Sequence, residues 1–338
     1  MFTSHNATAA EALRRNQAMG PGQEFDVIRR LMRTWGDLAT DIGDDAAVLP
    51  SRPDGLRVVS TDACVEHVHF RAGWISPEEV GHRAAAAALS DLAAMGAEAE
   101  FVLVAFVVPD AWQPRLEAVA QGIGRVVREA GARIVGGNLS RGDTFGITLT
   151  VIGCAARPVS RAGAQPGDVV LVTGRLGGPG QALAAWVSGQ TPREWARQRF
   201  AQPWPRLAQG QRLAAQGVTA MLDLSDGLAA DLGHLAAASR VRVVVDRTQL
   251  PCGPDCHADE ALSSGEEYEL VATLPARDWP ALQAAWDTAA LGPIQAIGRV
   301  EATGAGEPPV VVTPGTDAAG FDHFAGRVVE MRPGTGEL

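Results

Sequence analysis

Short apolar runs alternate with stretches of helical period along nearly all of the 338 residues, and no other feature restricts the fold as much. AVLP (47–50), LRVVS (56–60), ARIVGG (132–137) and FGITLTVIGCA (145–155) read as strands. FVLVAFVVP (101–109) has no polar interruption, so it reads as a buried strand. Between these runs, SPEEVGHRAAAAAL (76–89) is a helix with Ser76 as cap, Pro77 at its first position and acids in its first turn. WQPRLEAVAQGIGRVVREAG (112–131) is a second helix, stopped by Gly131. Phe25, Ile28, Leu31, Met32 and Trp35 mark one face of an earlier helix. The texture changes at ARPVSRAGAQPGD (156–168), rich in Arg, Pro and Gly, which predicts a boundary between a domain at 24–155 and another at 156–338. Strands follow at 169–174, 241–246, 268–275 and 293–300, with helices around 180–188, 193–216, within 220–239 and near 278–290. Alternating strands and helices of this kind predict two α/β layers.

All 29 basic residues counted as Lys+Arg are arginine. Mechanisms built on a P-loop lysine, a protein-kinase strand lysine or a Schiff base are therefore excluded. The formal net charge of −10 argues against nucleic acid and anionic membrane surfaces as partners. No uncharged apolar run reaches the roughly 18 residues of a membrane-spanning helix. Residues 1–23 lack the apolar segment of a secretory signal and are expected to be a disordered extension, with Met19 as a plausible true start. Four cysteines, Cys64, Cys154, Cys252 and Cys256, do not make a disulfide framework in a chain this long. Cys252, Cys256 and His257 lack the second Cys/His pair that a structural zinc site needs. A reducing, cytoplasmic setting is the expectation.

Acids at the ends of elements carry more information. They are Asp44 and Asp45 in GDDA, Asp62 in STDACVEHVHF, Asp91 in LSDLAAMGA, and Asp223 and Asp226 in DLSDGLAADL. Each alone fits an ordinary turn or helix cap. Together, flanked by Gly, Ser or Thr and separated by long intervals, they suit magnesium, which prefers a few carboxylates, waters and substrate phosphates. The glycine pair in GGNLSRGD (136–143) would let backbone amides approach an oxyanion. Glu266 and Glu267 in SSGEEYEL stand just before a strand, where they would meet a cation or form a charged turn. In VEHVHF, read as a strand, His67 and His69 share a face opposite Glu66.

IGDDAAVL, STD…VEHVHF, LSDLAAMGA, GGN…R, SRAGAQPGD, DLSDGLAADLGHLAAAS and GEEYEL, in this order, resemble the thiamine-monophosphate kinase family of the aminoimidazole ribonucleotide synthetase-like superfamily. The resemblance runs from about Glu24 to FDHF (321–324). It implies a two-domain α/β (α+β) fold whose N-terminal domain forms a β-barrel across a homodimer, followed by a C-terminal α/β domain. It implies ATP and thiamine monophosphate as substrates and several Mg2+ ions. Asp45, Ser60, Thr61, Asp62, Asp91, Asn138, Asp223 and Asp226 match metal positions, with Asp62 and Asp226 expected at the chemistry. Gly137, Asn138, Arg161 and Ser225 match ATP contacts, and His69, Glu266 and Phe321 match substrate contacts.

Two departures stand out. Asn138 replaces the usual Asp, which removes a full charge, so one magnesium is expected to bind more weakly; Glu267 replaces another Asp and keeps its charge. Direct in-line attack by the substrate phosphate is expected, with no phosphoenzyme. A sister synthetase of the selenophosphate or aminoimidazole ribonucleotide type is the nearest alternative. The former would place a reactive cysteine in an N-terminal glycine-rich segment, and none of the four is there. A non-catalytic nucleotide-binding protein, with Asn138 marking a decayed site, is the alternative of another class.

Overall fold

The computed structural model describes Gly20, residues 47–49 and residues 55–314. Asp44, Asp45, Phe321, the helix expected from Glu24 and the N-terminal extension up to Met19 lie outside the described residues. Strands β1 (Ala47–Leu49) and β2 (Leu56–Val65) lead to helix α1 (Pro77–Ala94). Then come β3 (Glu98–Val108), a 3-10 turn (Asp110–Arg115), α2 (Leu116–Glu129), β4 (Arg133–Arg141) and β5 (Gly146–Ala155). These strands form one sheet in the order β1-β2-β5-β3-β4, antiparallel except for the β3–β4 pair.

After β6 (Asp168–Thr173) come α3 (Gly178–Val187), α4 (Glu194–Ala201), α5 (Leu207–Ala215), β7 (Ala220–Asp223), α6 (Leu228–Ser239) and β8 (Val241–Asp246). The short α7 (Ala258–Ser263), β9 (Leu270–Pro275), α8 (Trp279–Ala285), α9 (Thr288–Leu291), β10 (Ile294–Ala302) and β11 (Val310–Thr313) complete the described chain. The second sheet runs β11-β8-β10-β6-β9-β7. Among the described residues, no helix is long and apolar enough to cross a membrane.

Helix α1 is the hub. Ser76 accepts a hydrogen bond from the Glu79 amide while the Glu79 carboxylate accepts one from the Ser76 amide, closing a capping box ahead of Pro77. From Glu79 to Ser90 every residue of α1 is buried. Its alanine run explains how one helix can be enclosed on all sides, since small side chains let neighbours approach from every direction. At Gly81 an added Cβ would sit 1.9 Å from the Val119 carbonyl oxygen, and at Gly122 it would sit 1.9 Å from that of Glu78. The α1–α2 crossing therefore depends on glycine in both helices. One core joins α1, α2 and the first sheet to Ala182, Ala196 and Phe200 of the second half. A second core joins Ala93 and Ala94 of α1 to Leu213, Met221 and Leu282. Trp74 stacks on Trp186 at 5.2 Å, joining the loop before α1 to α3.

Several elements differ from the sequence expectation for physical reasons. The expected helix at 193–216 is two helices, because Pro203 and Pro205 interrupt the run between α4 and α5. Strand β3 is buried on one face, through Val102, Val104 and Val108, because helices cover only that side of its sheet. β2 runs on to Val65, so Ser60, Thr61 and Asp62 lie within a strand. VEHVHF turns back after Val65 with His67 at φ 70°, so the two histidines do not share a strand face. β11 and α7 carry too little periodicity to be read in advance.

Candidate active site

Alternation along β2 places Ser60 and Asp62 on one face and Thr61 on the other. The Ser60 hydroxyl donates to Asp91 Oδ2 at 2.5 Å. Asp91 is not in a turn, as its sequence context suggests, but in the last part of α1, which the LSDLAA segment prolongs to Ala94. Asp62 Oδ1 accepts the Ala63 amide at 2.7 Å. Thr61 looks away from these acids, with its hydroxyl 3.2 Å from both the Leu149 carbonyl and the Thr150 hydroxyl.

The second half contributes the end of β7 and the loop that follows. Asp223 is buried at the strand end. The loop is tied to residues 266–269 by three backbone bonds: Leu224 N to Glu269 O (2.8 Å), Glu266 N to Ser225 O (2.7 Å) and Tyr268 N to Leu224 O (2.9 Å). Glu266 and Tyr268 adopt left-handed backbone, at φ 59° and 51°. Non-glycine residues in that region cost energy and persist where surrounding contacts enforce them. The Asp226 and Gly227 amides both donate to Asp231 Oδ2 at 3.1 Å. Asp226, Asp231 and His234 bring one ligand atom each within 4.8 Å of one another. A nitrogen donor among them is less suited to magnesium than an all-oxygen set, and Asp231 already holds two loop amides.

Asp62 and Asp223, from different halves of the chain, lie within electrostatic reach of each other. Burial raises the Asp62 carboxyl to about 6; neighbouring Asp223 and Glu266 add to the rise, while the Ala63 amide and Arg83 oppose it. Burial also raises Asp223, against the nearby Ser90 hydroxyl and the field of Arg161. Arg161 is itself buried. The Arg83 guanidinium, buried in α1, pairs with Glu266 Oε2 and donates from Nη1 to the Phe200 carbonyl at 2.6 Å. The site is thus a pocket of carboxylates with two buried arginines at its margin.

Of the residues singled out in sequence, Ser60, Asp62, Asp91, Asp223, Arg161 and Glu266 fall in this neighbourhood, with Ser225 bonded to Glu266 through its carbonyl. Five others do not join it through their side chains. Thr61 faces the opposite side of β2. His69 Nδ1 accepts the Val65 amide at 3.1 Å, in the turn after β2. Gly137 and Asn138 are not in a loop after a strand but inside β4, exposed, opposite Val104 and Ala105. A Cβ at Gly137 would lie 1.7 Å from the Val104 carbonyl oxygen, so this glycine already serves close strand pairing. Glu267 is buried and bonded to the Gly177 amide at 2.5 Å and to Arg199 at 3.3 Å. Arg83, Ser90, Asp231 and His234 were missed. A lone arginine within HRAAAAAL was the available signal for Arg83, and the i, i+3 spacing of Asp231 and His234 behind DLSDG was the signal for that pair.

Residues 43–155 match the AIR synthase related protein N-terminal domain, and residues 165–310 match the AIR synthase related protein C-terminal domain. The thiamine-monophosphate kinase of Salmonella typhimurium is 36% identical over 308 residues, 86% of this chain and 93% of the relative. The structure described as "AaThiL complexed with AMPPCP and TMP" superposes with a TM-score of 0.79 at 28% identity, covering 90% of this chain and 97% of the other. The thiamine-monophosphate kinase of Stenotrophomonas maltophilia K279a superposes at 0.71 with 33% identity, covering 90% and 100%. The hydrogenase maturation protein HypE of E. coli, at 20% identity and a TM-score of 0.64, shares the fold.

Proposed function

Because the chain belongs to the thiamine-monophosphate kinase family, it phosphorylates thiamine monophosphate at the expense of ATP, and we propose that the transfer takes place over the carboxylates gathered by β2, α1 and β7. The observation that carries this assignment is the convergence of half-buried Asp62 on β2 and buried Asp223 on β7 within each other's field, with both carboxyls raised. A pocket that charges reluctantly in its own acids is one that gains by taking up a cation. The donors fit magnesium: oxygen ligands from Asp62, Asp91 and Asp223, with the Ser60 hydroxyl beside them. Bound there, magnesium would supply charge neutralisation for the phosphates of both substrates.

The rest follows from the chain's own groups. At an effective dielectric near 20, two unit charges 4 Å apart repel by roughly 4 kcal/mol. With no lysine in the chain, Arg161 and Arg83 are the side-chain cations, among the described residues, whose field reaches these acids. A phosphate monoester is largely dianionic at neutral pH, its second pKa being near about 6. The acceptor oxygen is therefore already nucleophilic and attacks the γ-phosphorus in line without a general base or a phosphoenzyme; catalysis is positioning and charge compensation. Glu266, one carboxylate oxygen turned from its arginine, is assigned to the cationic acceptor. Asp45 and Phe321 keep their assignments to metal and substrate, and Asp226 to a further metal position. Gly137 and Asn138 on β4 keep theirs to ATP and metal, with His69 on the acceptor side.

Among the described residues, β4 is the last strand at one edge of its sheet, with Ile134, Val135 and Leu139 exposed by 49, 53 and 66%. An unpaired apolar edge invites another strand, and we assign it to a second copy of the chain, which would cover Asn138 in a homodimer. Incubation with ATP, magnesium and thiamine monophosphate should yield thiamine diphosphate and ADP, and a chelator should abolish the product. ATP consumption without thiamine diphosphate would overturn the assignment.

A further inference from the structure

Arg83 enters the reading above only as a nearby charge, and its surroundings are unusual. It comes from the middle of α1 and is 1% exposed. Its guanidinium lies 3.8 Å above the Phe200 ring and donates to the Phe200 carbonyl at 2.6 Å. Its Nη2 pairs with Oε2 of Glu266, across the junction between the two halves of the chain. Among the described residues, nothing bonds the other oxygen of Glu266, and the side chain keeps 27% exposure. Glu266 is fixed from behind as well, since its amide donates to the Ser225 carbonyl and its backbone is left-handed.

A buried ion pair is a poor source of stability, because desolvating both charges offsets their attraction. A planar guanidinium held on three sides is well suited to orienting one carboxylate oxygen. We propose that Arg83 is a positioning residue for the phosphoryl acceptor: it holds Oε2 of Glu266 so that Oε1 is presented to the cationic, nitrogen-bearing rings of thiamine monophosphate. This rests on the reading of Glu266 as an acceptor contact. Because the pair bridges the two halves, the carboxylate is presented only when α1 is seated against α4.

The test is a double-mutant cycle on the full-length chain, read as separate KM values for thiamine monophosphate and for ATP. Arg83→Met should raise the KM for thiamine monophosphate about tenfold, the scale of a charge-assisted hydrogen bond, and leave the KM for ATP unchanged. Arg83→Lys, which keeps the charge, should recover part of the loss. In a Glu266→Gln background, Arg83→Met should add nothing further. If Glu266→Gln raises the acceptor KM but Arg83→Met adds to it independently, or raises both KM values together, Arg83 is structural and the inference is overturned while the reading of Glu266 stands. If Glu266→Gln leaves the acceptor KM unchanged, the reading itself falls and the inference with it. Should Arg83→Met fail to fold, Arg83→Lys decides: an acceptor KM equal to that of the unaltered protein would refute the positioning role.

Discussion

Two groups of acids, buried Glu269 on one side and half-buried Asp62 with buried Asp223 on the other, are answered differently. Glu269 is held by Arg206 through Nε at 2.8 Å and Nη2 at 2.5 Å, by Arg199 at 3.0 Å and by the Thr173 hydroxyl at 2.7 Å. Its carboxyl is lowered in spite of burial, because the two arginines outweigh desolvation. Among the described residues no arginine bonds Asp62 or Asp223: arginine reaches them only through its field, and both carboxyls are raised. Burial alone therefore does not mark a functional acid. The difference lies in whether the protein supplies the counter-charge itself or leaves it to be supplied by a ligand.

The largest effect expected from this contrast is on stability. Glu269→Gln leaves Arg206 and Arg199 facing a neutral amide in a buried setting, and breaking a buried pair in this way costs about 3–5 kcal/mol. Denaturant unfolding should show that loss, while the folded fraction keeps most of its turnover. Asp62→Asn should do the reverse. It removes a carboxylate whose ionisation burial already opposes, so the midpoint of unfolding in metal-free buffer should hold or rise. Turnover should fall by about 10²–10³-fold, the scale seen when one element of transition-state charge stabilisation is removed. If Asp62→Asn proved as destabilising as Glu269→Gln, the distinction between the two groups would be lost.

The layered α/β architecture was legible because strand and helix periods differ and the helix signals at Ser76, Pro77 and Gly131 are local. The gathering of Asp62, Asp91 and Asp223 was legible only through the resemblance, since the acids are brought together by α1 packing on both β2 and β7. Period alone also misjudged Asp91 and Asn138: each sits in an element that continues past the point where small or polar residues suggest a stop. Thr61 shows the limit of motif matching. Its two neighbours face the acids, and strand alternation turns its side chain the other way. Arg83 was hidden because an arginine within an alanine-rich helix reads as solvent-facing until the helix is found enclosed on every side.

The smallest expected effect sharpens the contrast inside the answered group itself. Glu267 also faces Arg199, but at 3.3 Å and in competition with Glu269. Burial, with Glu269 adding to it, raises its carboxyl to about 7, against the Arg199 charge and the bonds from Ser264 and the Gly177 amide. The native state thus binds a proton here that the unfolded chain, with an ordinary glutamate near 4.5, has already released. Its contribution to stability is full below the unfolded value and declines as pH rises from about 4.5 to about 7. The slope approaches roughly 1.4 kcal/mol per pH unit at most. Glu269 works in the opposite sense, its contribution being present above the ordinary glutamate range and lost as pH falls through its lowered value. Unfolding free energies of the unaltered protein and of Glu267→Gln, compared at pH 5 and pH 7.5, should therefore diverge toward the higher pH, the unaltered protein losing stability relative to the variant, since the amide stands in for the protonated acid and is indifferent to the change. Parallel curves would mean that Arg199 keeps Glu267 ionised, and the two glutamates would then belong to a single, fully compensated cluster.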